Sequence, residues 1–429
     1  MSLDPLSLDD DRHALAADAA DPLHALRGQF HIPRHGNADM AYFVGNSLGL
    51  QPRAAAGLIA EELESWATQA VEGHFRGARP WMDYHSQVRD GLAEVVGAQP
   101  LEVVAMNSLT TNLHLLMASF YRPSAERPAI LIEAGAFPSD RHAVASQIRF
   151  HGFDPERDLI ELAADEPGEA ISLAAIERAL AEHGRRIALV LWPGVQYRTG
   201  QAFDLKEISR LAHAQGCVAG FDLAHAAGNL HLALHDSDAD FAVWCHYKYM
   251  NAGPGAVAGA FVHERHARAD LPRLAGWWGH DPATRFQMGP EFTPTPGADG
   301  WQLSNPPILG LTPLIASLDL FQRAGMAALR AKSERLTGYL EALIRRHLDD
   351  LLDILTPAEP SRRGCQLSLR VRAGREAGRA LFRHLSEAGV LGDWREPDVI
   401  RIAPAPLYNR HGDVLRFARA CRDFARNAG

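Results

Sequence analysis

The chain is poor in cysteine and contains no long apolar run. Its four cysteines, Cys217, Cys245, Cys365 and Cys421, are scattered over 429 residues, so neither a CxxC pair nor a disulfide framework is expected. No apolar stretch approaches the roughly 20 residues that a membrane-spanning helix needs. The first residues are acidic, where a secretory signal requires a basic segment before an apolar one. We therefore expect a cytoplasmic protein without a membrane partner.

The sequence also lacks basic clusters. Its formal net charge is −9, and no basic run offers a surface for nucleic acid, so we expect no nucleic-acid partner. Hydrophobic residues make up 47% of the chain and charged residues 22%, which argues against a disordered protein. Because 429 residues exceed the size at which a single hydrophobic core usually stops growing, two domains are expected.

Apolar runs bounded by turn residues recur through the middle of the chain. They occupy residues 103–106, 129–132, 187–192, 217–221 and 241–244. Helical patterns separate them, as in residues 205–212, where apolar side chains have helical spacing before Gly216, which can end the helix. This alternation predicts a mostly parallel sheet with helices on both faces. In such sheets, ligands bind beyond the carboxyl ends of the strands.

The pattern changes after the two prolines at 306–307. Residues 313–348 have a long helical pattern, and the short strand patterns at 366–371 and 399–402 are mixed with helices. This composition predicts a smaller α+β domain at the C-terminal end. We therefore divide the chain into an N-terminal segment that packs with the small domain, a large ligand-binding domain and the small domain: residues 1–60, 61–312 and 313–429.

Two charged residues follow neighbouring apolar runs. Asp222 directly follows the run at 217–221, and Lys248 stands shortly after the run at 241–244. A lysine can form a Schiff base with pyridoxal 5′-phosphate (PLP), while an aspartate can keep the pyridine nitrogen protonated so that the ring withdraws electrons. A surface lysine and a helix-capping aspartate are the ordinary alternatives, but an apolar run before Lys248 should shield it from water. The pair predicts a PLP site in which His225 supports Asp222.

Hydroxyl side chains at the end of the first run predict a phosphate site. Residues 107–112, with the sequence NSLTTN, stand between the first predicted strand and a helical pattern over residues 113–121. Free N–H groups at a helix N-terminus attract a phosphate, and the hydroxyls can add hydrogen bonds. The alternative is a plain Ser/Thr helix cap.

Two histidine pairs raise the question of a metal site. His231 and His235 are four residues apart, and His263 and His266 are three apart. Neither pair stands in an HExxH or cysteine-containing context, so solvated or locally hydrogen-bonded histidines are the better interpretation. We assign no metal from the sequence.

Several short motifs make the chain resemble the kynureninase family. In chain order they are NSLGL (46–50), GFDLAHA (220–226), YKY (247–249), NAG (251–253), GWWGH (276–280), SNPPI (304–308), REPD (395–398) and RIAPAPLYN (401–409). The resemblance runs from residue 46 almost to the C-terminus. Several of these motifs are specific to that family, whereas the Asp–Lys pair is common to the aspartate-aminotransferase fold.

The resemblance implies PLP-dependent transferase fold type I, an α/β fold with a mostly parallel seven-stranded sheet and a smaller C-terminal domain. It also implies a homodimer with shared active sites, and hydrolysis of kynurenine or 3-hydroxykynurenine to an anthranilate and alanine. Another enzyme of this fold, such as a cysteine desulfurase or an aminotransferase, is the nearer alternative. A non-catalytic relative is the farther one, and the intact Lys248, Asp222 and Arg401 count against it.

The resemblance further implies which residues form the site. The cofactor-binding residues would be Leu109, Thr110, Phe137, Pro138, Ser139, Asp140, Asp222, His225, Tyr247 and Lys248, with Trp277 and Asn305 donated across the dimer interface. Lys248, Tyr247 and Asp222 would be catalytic, and Pro193 would offer only backbone contact. The substrate contacts would be Ser47, His74, Ser304, Asn305 and Arg401. Of these, Arg401 would bind the substrate carboxylate, and the side chains at the aryl end would favour 3-hydroxykynurenine.

Overall fold

The computed structural model describes residues 9–165 and 170–428. The first five residues, on which part of the expectation about the N-terminus rests, lie outside this range. Within it, the helices are α1 (Asp11–Ala19), α2 (Arg53–Gln69), α3 (Ser86–Val96), α4 (Leu109–Phe120), α5 (Pro138–Phe150), α6 (Pro155–Asp158), α7 (Leu173–His183), α8 (Leu205–Ala214), α9 (Ile308–Ala324), α10 (Met326–His347), α11 (Arg375–Glu387) and α12 (His411–Ala428). The strands are β1 (Arg34–His35), β2 (Ala38–Asp39), β3 (Ala41–Tyr42), β4 (Val103–Ala105), β5 (Ala129–Glu133), β6 (Leu159–Leu162), β7 (Ile187–Pro193), β8 (Val218–Asp222), β9 (Phe241–Cys245), β10 (Ala258–Val262), β11 (Leu352–Ile354), β12 (Leu367–Val371), β13 (Val390–Leu391), β14 (Asp393–Arg395) and β15 (Val399–Ile402).

The central sheet has seven strands in the order β4, β10, β9, β8, β7, β5, β6. Strands β6, β5, β7, β8 and β9 are parallel, whereas β10 is antiparallel to both of its neighbours. Alternate residues face opposite sides: in β5, Ala129 and Leu131 join one buried cluster, while Ile130 and Ile132 join another. A strand buried on both faces has an unbroken apolar sequence. The predicted fold class is confirmed.

The five apolar runs are strands β4, β5, β7, β8 and β9, each within one or two residues of its predicted bounds. The predicted helix over 205–212 is α8, which Asp204 caps by accepting a hydrogen bond from the Glu207 N–H. Gly216 has a φ of +69° just beyond its end, as a helix-ending glycine requires. The edge strand β6 was not predicted, because only β5 pairs with it and its side chains are partly exposed.

The helical stretch predicted for residues 313–348 consists of two helices, α9 and α10. The chain breaks at Gly325, whose φ of +73° lies in the region that favours glycine. The buried side chains of α9, such as Leu311 and Leu314, belong to the cluster of the central sheet. Those of α10 join the small domain from Leu336 onward. The three-part division of the chain stays a prediction.

The C-terminal part contains a four-stranded antiparallel sheet in the order β11, β12, β15, β14, packed with α10, α11 and α12. Residues from the N-terminal segment join it, since β3 pairs with β13 and Phe43 lies in the same buried cluster. The segment then reaches the central sheet, where the Gly49 N–H donates to the Tyr247 carbonyl (2.8 Å). A side chain at Gly49 would collide with the Lys248 carbonyl oxygen. None of the helices described is both long and apolar enough to cross a membrane.

Candidate active site

A cavity of about 200 Å³ lies where the central strands β5, β7, β8 and β9 end. This is the edge at which open α/β sheets bind ligands. The lining residues are Leu109, Thr110, Glu133, Phe137, Ser139, Asp140, Pro193, Val195, Tyr197, Asp222, Ala224, His225, Tyr247 and Lys248. The structure therefore brings together most of the side chains that the sequence suggested for the cofactor.

Two helix N-termini meet at one end of the cavity. Thr110 lies in the first turn of α4 and Ser139 in the first turn of α5, directly after Pro138, and their hydroxyl oxygens are 2.8 Å apart. Ser108, at the cap position of α4, makes no side-chain capping hydrogen bond. The first N–H groups of a helix have no partner within the helix, and the helix dipole favours an anion there. A phosphate site therefore explains these residues better than a plain Ser/Thr helix cap does.

Two carboxyl groups are buried side by side in the cavity wall. Burial raises the pKa of Asp222, and burial together with the neighbouring Asp222 raises the pKa of Asp140 well above its usual value. The Asp222 carboxylate accepts a hydrogen bond from the Ala224 N–H (2.6 Å), whereas Asp140 Oδ1 is buried without a hydrogen-bond partner among the described residues. Such a pair is stabilised by a cationic partner, which a protonated pyridine nitrogen would supply.

A buried imidazole stands next to these carboxyl groups. Burial holds the pKa of His225 well below its usual value, and the positive charges of Lys248 and Arg401 lower it further. The ring is therefore neutral at pH 7. Its Nδ1 atom is buried and has no hydrogen-bond partner in the part of the chain described. Unpartnered polar atoms at Asp140 and His225 fit a cavity that is completed by a polar ring such as PLP.

The amine of Lys248 is held above an aromatic ring. Lys248 is half-buried three residues beyond β9, and its Nζ lies 5.8 Å from the ring centroid of Phe137 and 5.9 Å from that of Tyr247. Phe137 is itself fixed edge-to-face against Tyr197, with ring centroids 5.2 Å apart. A flat group could therefore stack on Phe137 within reach of the amine.

Tyr247 is a protonated phenol in the cavity wall. Burial raises the pKa of Tyr247 above its usual value, and the nearby Cys245 and Asp222 raise it further. The phenol, which is already protonated at neutral pH at the ordinary tyrosine pKa of about 10, therefore keeps its proton in the cavity wall.

Glu133 is a lining residue that the sequence reasoning missed. It is the last residue of β5 and is almost completely buried. Burial raises the pKa of Glu133 to about 8, with a further contribution from Asp222. The signal that identified Asp222, a charged residue directly after an apolar run, also applies to Glu133. Val195 and Tyr197, which follow β7, offered no comparable signal.

We expect Glu133→Gln to remove the contribution of this carboxyl to the pH dependence of the unfolding free energy. The carboxyl has a pKa of 4.5 unfolded and about 8 folded, so its contribution to stability is full below pH 4.5 and is lost as the pH rises through 8. Relative to the variant, the wild type should lose about 1.4 kcal/mol of unfolding free energy per pH unit between pH 5 and pH 8. Denaturant titrations of both proteins across this range measure the difference. If the unfolding free energies of the two proteins changed with pH in parallel, the raised pKa of Glu133 would be contradicted.

The remaining predicted residues do not line this cavity. Pro138, the first residue of α5, stands between the lining residues Phe137 and Ser139 without lining the cavity itself. Ser47 lies in the N-terminal segment, His74 is partly exposed after α2, and Ser304 and Asn305 are exposed just before α9. Trp277 is 42% exposed, and its indole N–H donates to the Arg285 carbonyl (3.1 Å).

Arg401 is fully buried on β15 with partners inside the protein. Its guanidinium pairs with Asp393 and donates to the Tyr197 carbonyl (2.8 Å), while Nε is buried without a hydrogen-bond partner among the described residues. Arg401 therefore stands behind the cavity wall, close enough to affect the pKa of His225.

The chain is similar over nearly its whole length to curated kynureninases. It is 68% identical to the kynureninase of Xanthomonas euvesicatoria pv. vesicatoria, over 96% of this chain and 98% of that protein. The identity to the kynureninase of Stenotrophomonas maltophilia is also 68%, with the same coverage of 96% and 98%. Residues 329–421 match the family described as Kynureninase C-terminal domain.

Solved structures with the same fold share much less sequence. A cysteine desulfurase from Thermococcus onnurineus has a TM-score of 0.73 at 15% identity, covering 90% of this chain and 95% of that one. A C-DES mutant with glycine covalently linked to its PLP cofactor has a TM-score of 0.74 at 20% identity, covering 92% and 98%. At these identities the likeness concerns the fold alone.

Proposed function

The chain belongs to the kynureninase family of PLP-dependent enzymes, and from this premise we propose that it hydrolyses kynurenine and 3-hydroxykynurenine. Water is consumed, the Cβ–Cγ bond breaks, and an anthranilate and alanine are released. The observation that carries the proposal is the cavity wall, which combines the Lys248 amine above Phe137 with the buried Asp222. When bound, PLP supplies a ring that withdraws electrons from the substrate's amino-acid carbon.

We assign lining residues of the cavity to each part of the cofactor. The paired hydroxyls of Thr110 and Ser139, at two helix N-termini, would hold the phosphate. Asp222 would pair with the ring nitrogen, Phe137 would stack on the ring, and Lys248 would form the covalent link. The neutral His225 would contribute an uncharged polar contact beside Asp222.

The same side chains can move the protons that the reaction requires. The Lys248 amine, which lines the cavity beside Phe137, would be the base that removes the substrate's α-proton. Tyr247, which lines the cavity as a protonated phenol, would donate a proton during cleavage of the carbon–carbon bond. Arg401 would bind the substrate carboxylate if its guanidinium turned from Asp393 toward the cavity, since a planar guanidinium binds a carboxylate through two hydrogen bonds.

Product analysis tests the reaction. The purified holoenzyme is incubated separately with kynurenine, 3-hydroxykynurenine and cysteine, and the mixtures are assayed for anthranilate fluorescence, alanine and sulfide. We expect an anthranilate and alanine in equal amounts from the first two substrates. Sulfide release from cysteine without anthranilate formation would favour a desulfurase instead.

We further propose that 3-hydroxykynurenine is the better substrate. His74 Nδ1 lies 3.0 Å from the Val71 carbonyl and donates to it, so the neutral ring carries its proton on Nδ1 and has Nε2 as an acceptor. The ring is held edge-on to Trp81, with centroids 5.4 Å apart. An imidazole fixed in this tautomer can accept a hydrogen bond from a phenolic hydroxyl. Ser304 and Asn305 would add polar contacts from the segment before α9.

Replacing His74 by phenylalanine should reduce this preference. A site that binds a buried hydroxyl disfavours the ligand lacking it by about 1–3 kcal/mol, or about 5- to 150-fold in kcat/KM. In His74→Phe we expect the kcat/KM for 3-hydroxykynurenine, divided by that for kynurenine, to fall by that factor. Steady-state kinetics with both substrates measure this ratio in the wild type and in the variant. A wild type that favours kynurenine would overturn the proposal.

We propose that the active unit is a homodimer in which Trp277 and Asn305 complete the site of the partner subunit. The segment around Trp277 carries exposed apolar side chains, with Phe286 and Met288 more than half exposed. Exposed apolar side chains grouped in one segment are typical of interaction surfaces.

Mixing two inactive variants tests the sharing of sites. One variant is Lys248→Ala, and the other combines Trp277→Ala with Asn305→Ala. If the subunits exchange, half of the dimers are mixed and have one intact site of two, so activity should return to about one quarter of the wild-type value. No recovery under conditions that exchange wild-type subunits would contradict shared sites.

We also propose a cytoplasmic location. All four cysteines are buried and unpaired in the structure. Unpaired thiols of this kind are the rule in a reducing compartment. Fractionation of the native cells with an antibody against the protein tests this location.

A further inference from the structure

Three potential metal ligands meet at the edge of the central sheet opposite the cavity. Glu102 directly precedes β4, and His263 directly follows the antiparallel strand β10, so both lie at the same edge. His235 is brought to this edge by its N–H, which donates to the Gly97 carbonyl (3.0 Å). One possible ligand atom from each of the three side chains lies within 4.8 Å of the others.

The distances within this group are close to those of a metal site. Glu102 Oε1 lies 3.0 Å from His235 Nδ1 and 3.8 Å from His263 Nδ1. Ligand atoms that bind zinc tetrahedrally at about 2.0–2.1 Å are about 3.3 Å apart. The two imidazole rings are stacked, with centroids 5.2 Å apart. Movements of less than about 1 Å would therefore suffice to place a cation between the three atoms.

Burial and ligand chemistry also fit a cation. The Glu102 side chain is completely buried and that of His263 nearly so, whereas the His235 side chain is 31% exposed. Two imidazoles and a carboxylate are a common ligand set of zinc, and a water molecule often fills the fourth position. The exposed side of His235 provides room for that water.

Neighbouring groups orient Glu102, and a carboxylate stands near the outer nitrogen of each histidine. Both carboxylate oxygens of Glu102 accept backbone hydrogen bonds, from the N–H groups of Gln99 and Glu264 (2.8 Å each). The outer nitrogen of His235 faces the Glu264 carboxylate at 4.0 Å. That of His263 faces Asp238 at 3.9 Å. Carboxylates behind metal-bound histidines fix their tautomer and increase their basicity.

We propose that Glu102, His235 and His263 bind one divalent cation of the zinc type. The cation would join three segments that are distant in sequence at the edge formed by β4 and β10. Its role would be structural, because the PLP cavity lies at the other end of the strands. The cation would replace two hydrogen bonds, the one between His235 Nδ1 and Glu102 Oε1 (3.0 Å) and the one that His263 Nδ1 accepts from the Arg265 N–H (3.2 Å).

Equilibrium dialysis with zinc tests the proposal. The holoenzyme is treated with a chelator, dialysed against dilute Zn²⁺ and analysed for bound metal by mass spectrometry. The variants are His235→Ala and His263→Ala. The matched control is His231→Ala, which removes an exposed histidine four residues away that lies outside the group. Circular dichroism and the cofactor's absorbance verify that each variant is folded.

We expect one zinc per chain in the wild type and in His231→Ala, with at least about 100-fold weaker binding in the other two variants. Since PLP itself can bind metal ions, the difference between variants decides the result. Zinc should also raise the melting temperature of the wild type and of His231→Ala, but not of the other two. Equal zinc content in all four proteins, or no zinc in the wild type, would overturn the proposal. If either histidine variant does not fold, Glu102→Gln replaces it, with the same loss of zinc expected.

Discussion

Replacing Lys248 by alanine is expected to abolish the covalently held yellow cofactor and to lower kcat/KM by at least about 10⁴-fold. The substitution removes the side chain that we propose both as the nucleophile of the covalent link and as the base for the substrate's α-proton. The fold should survive, because the Lys248 side chain is half-buried beside a cavity and does not lie in a packed core. Absorbance spectra and product assays measure the two losses.

The small number of lysines makes this test decisive. The chain contains only Lys206, Lys248 and Lys332. Lys206 is exposed, and Lys332 is buried in an ion pair with Asp21 (2.7 Å). Borohydride reduction followed by peptide mapping should place the cofactor on Lys248 alone, and Lys206→Ala should behave as the wild type. Labelling at either of the other two lysines would refute the assignment.

Replacing Asp222 by alanine is expected to lower kcat by about 10²- to 10³-fold while the protein stays folded. The carboxylate is buried beside Asp140 and would keep the pyridine nitrogen protonated, so its loss weakens electron withdrawal by the ring. In Asp222→Ala, the pH range over which the visible absorbance of the bound cofactor changes should also differ from that of the wild type. A purely structural role would not alter this spectrum.

The control for Asp222→Ala is Asp204→Ala. Asp204 caps α8 and is exposed, so its loss should reduce stability by about 1 kcal/mol without affecting turnover. Comparing kcat, melting temperature and the cofactor spectrum in the two variants separates a catalytic effect from a loss of stability. A near-normal kcat in Asp222→Ala would contradict the role assigned to it.

Several features of the site could be predicted from the sequence because they depend on local patterns. The continuous apolar runs identified the buried strands, since a parallel strand covered on both faces has no polar positions. Residues that follow such runs lie at the ligand-binding edge, which is how Asp222 and Lys248 were found. Glu133 follows the same rule and could have been found in the same way.

Other features depend on contacts between distant segments. Arg401 on β15 is held by Asp393 and the Tyr197 carbonyl, and nothing in its local sequence reveals these partners. The histidine pairs that the sequence suggested combine differently in three dimensions, with one member of each pair meeting Glu102.

The sequence by itself determined the fold class, the positions of the central strands and the Asp222–Lys248 pair, because hydrophobic periodicity and turn residues act over a few neighbours. Only the tertiary structure decided which side chains share a cavity and which meet at the opposite edge. His235 and Glu102 are separated by 133 residues along the chain and lie 3.0 Å apart. Such a contact is set by the backbone hydrogen bond from the His235 N–H to the Gly97 carbonyl, five residues before Glu102, which no local pattern encodes.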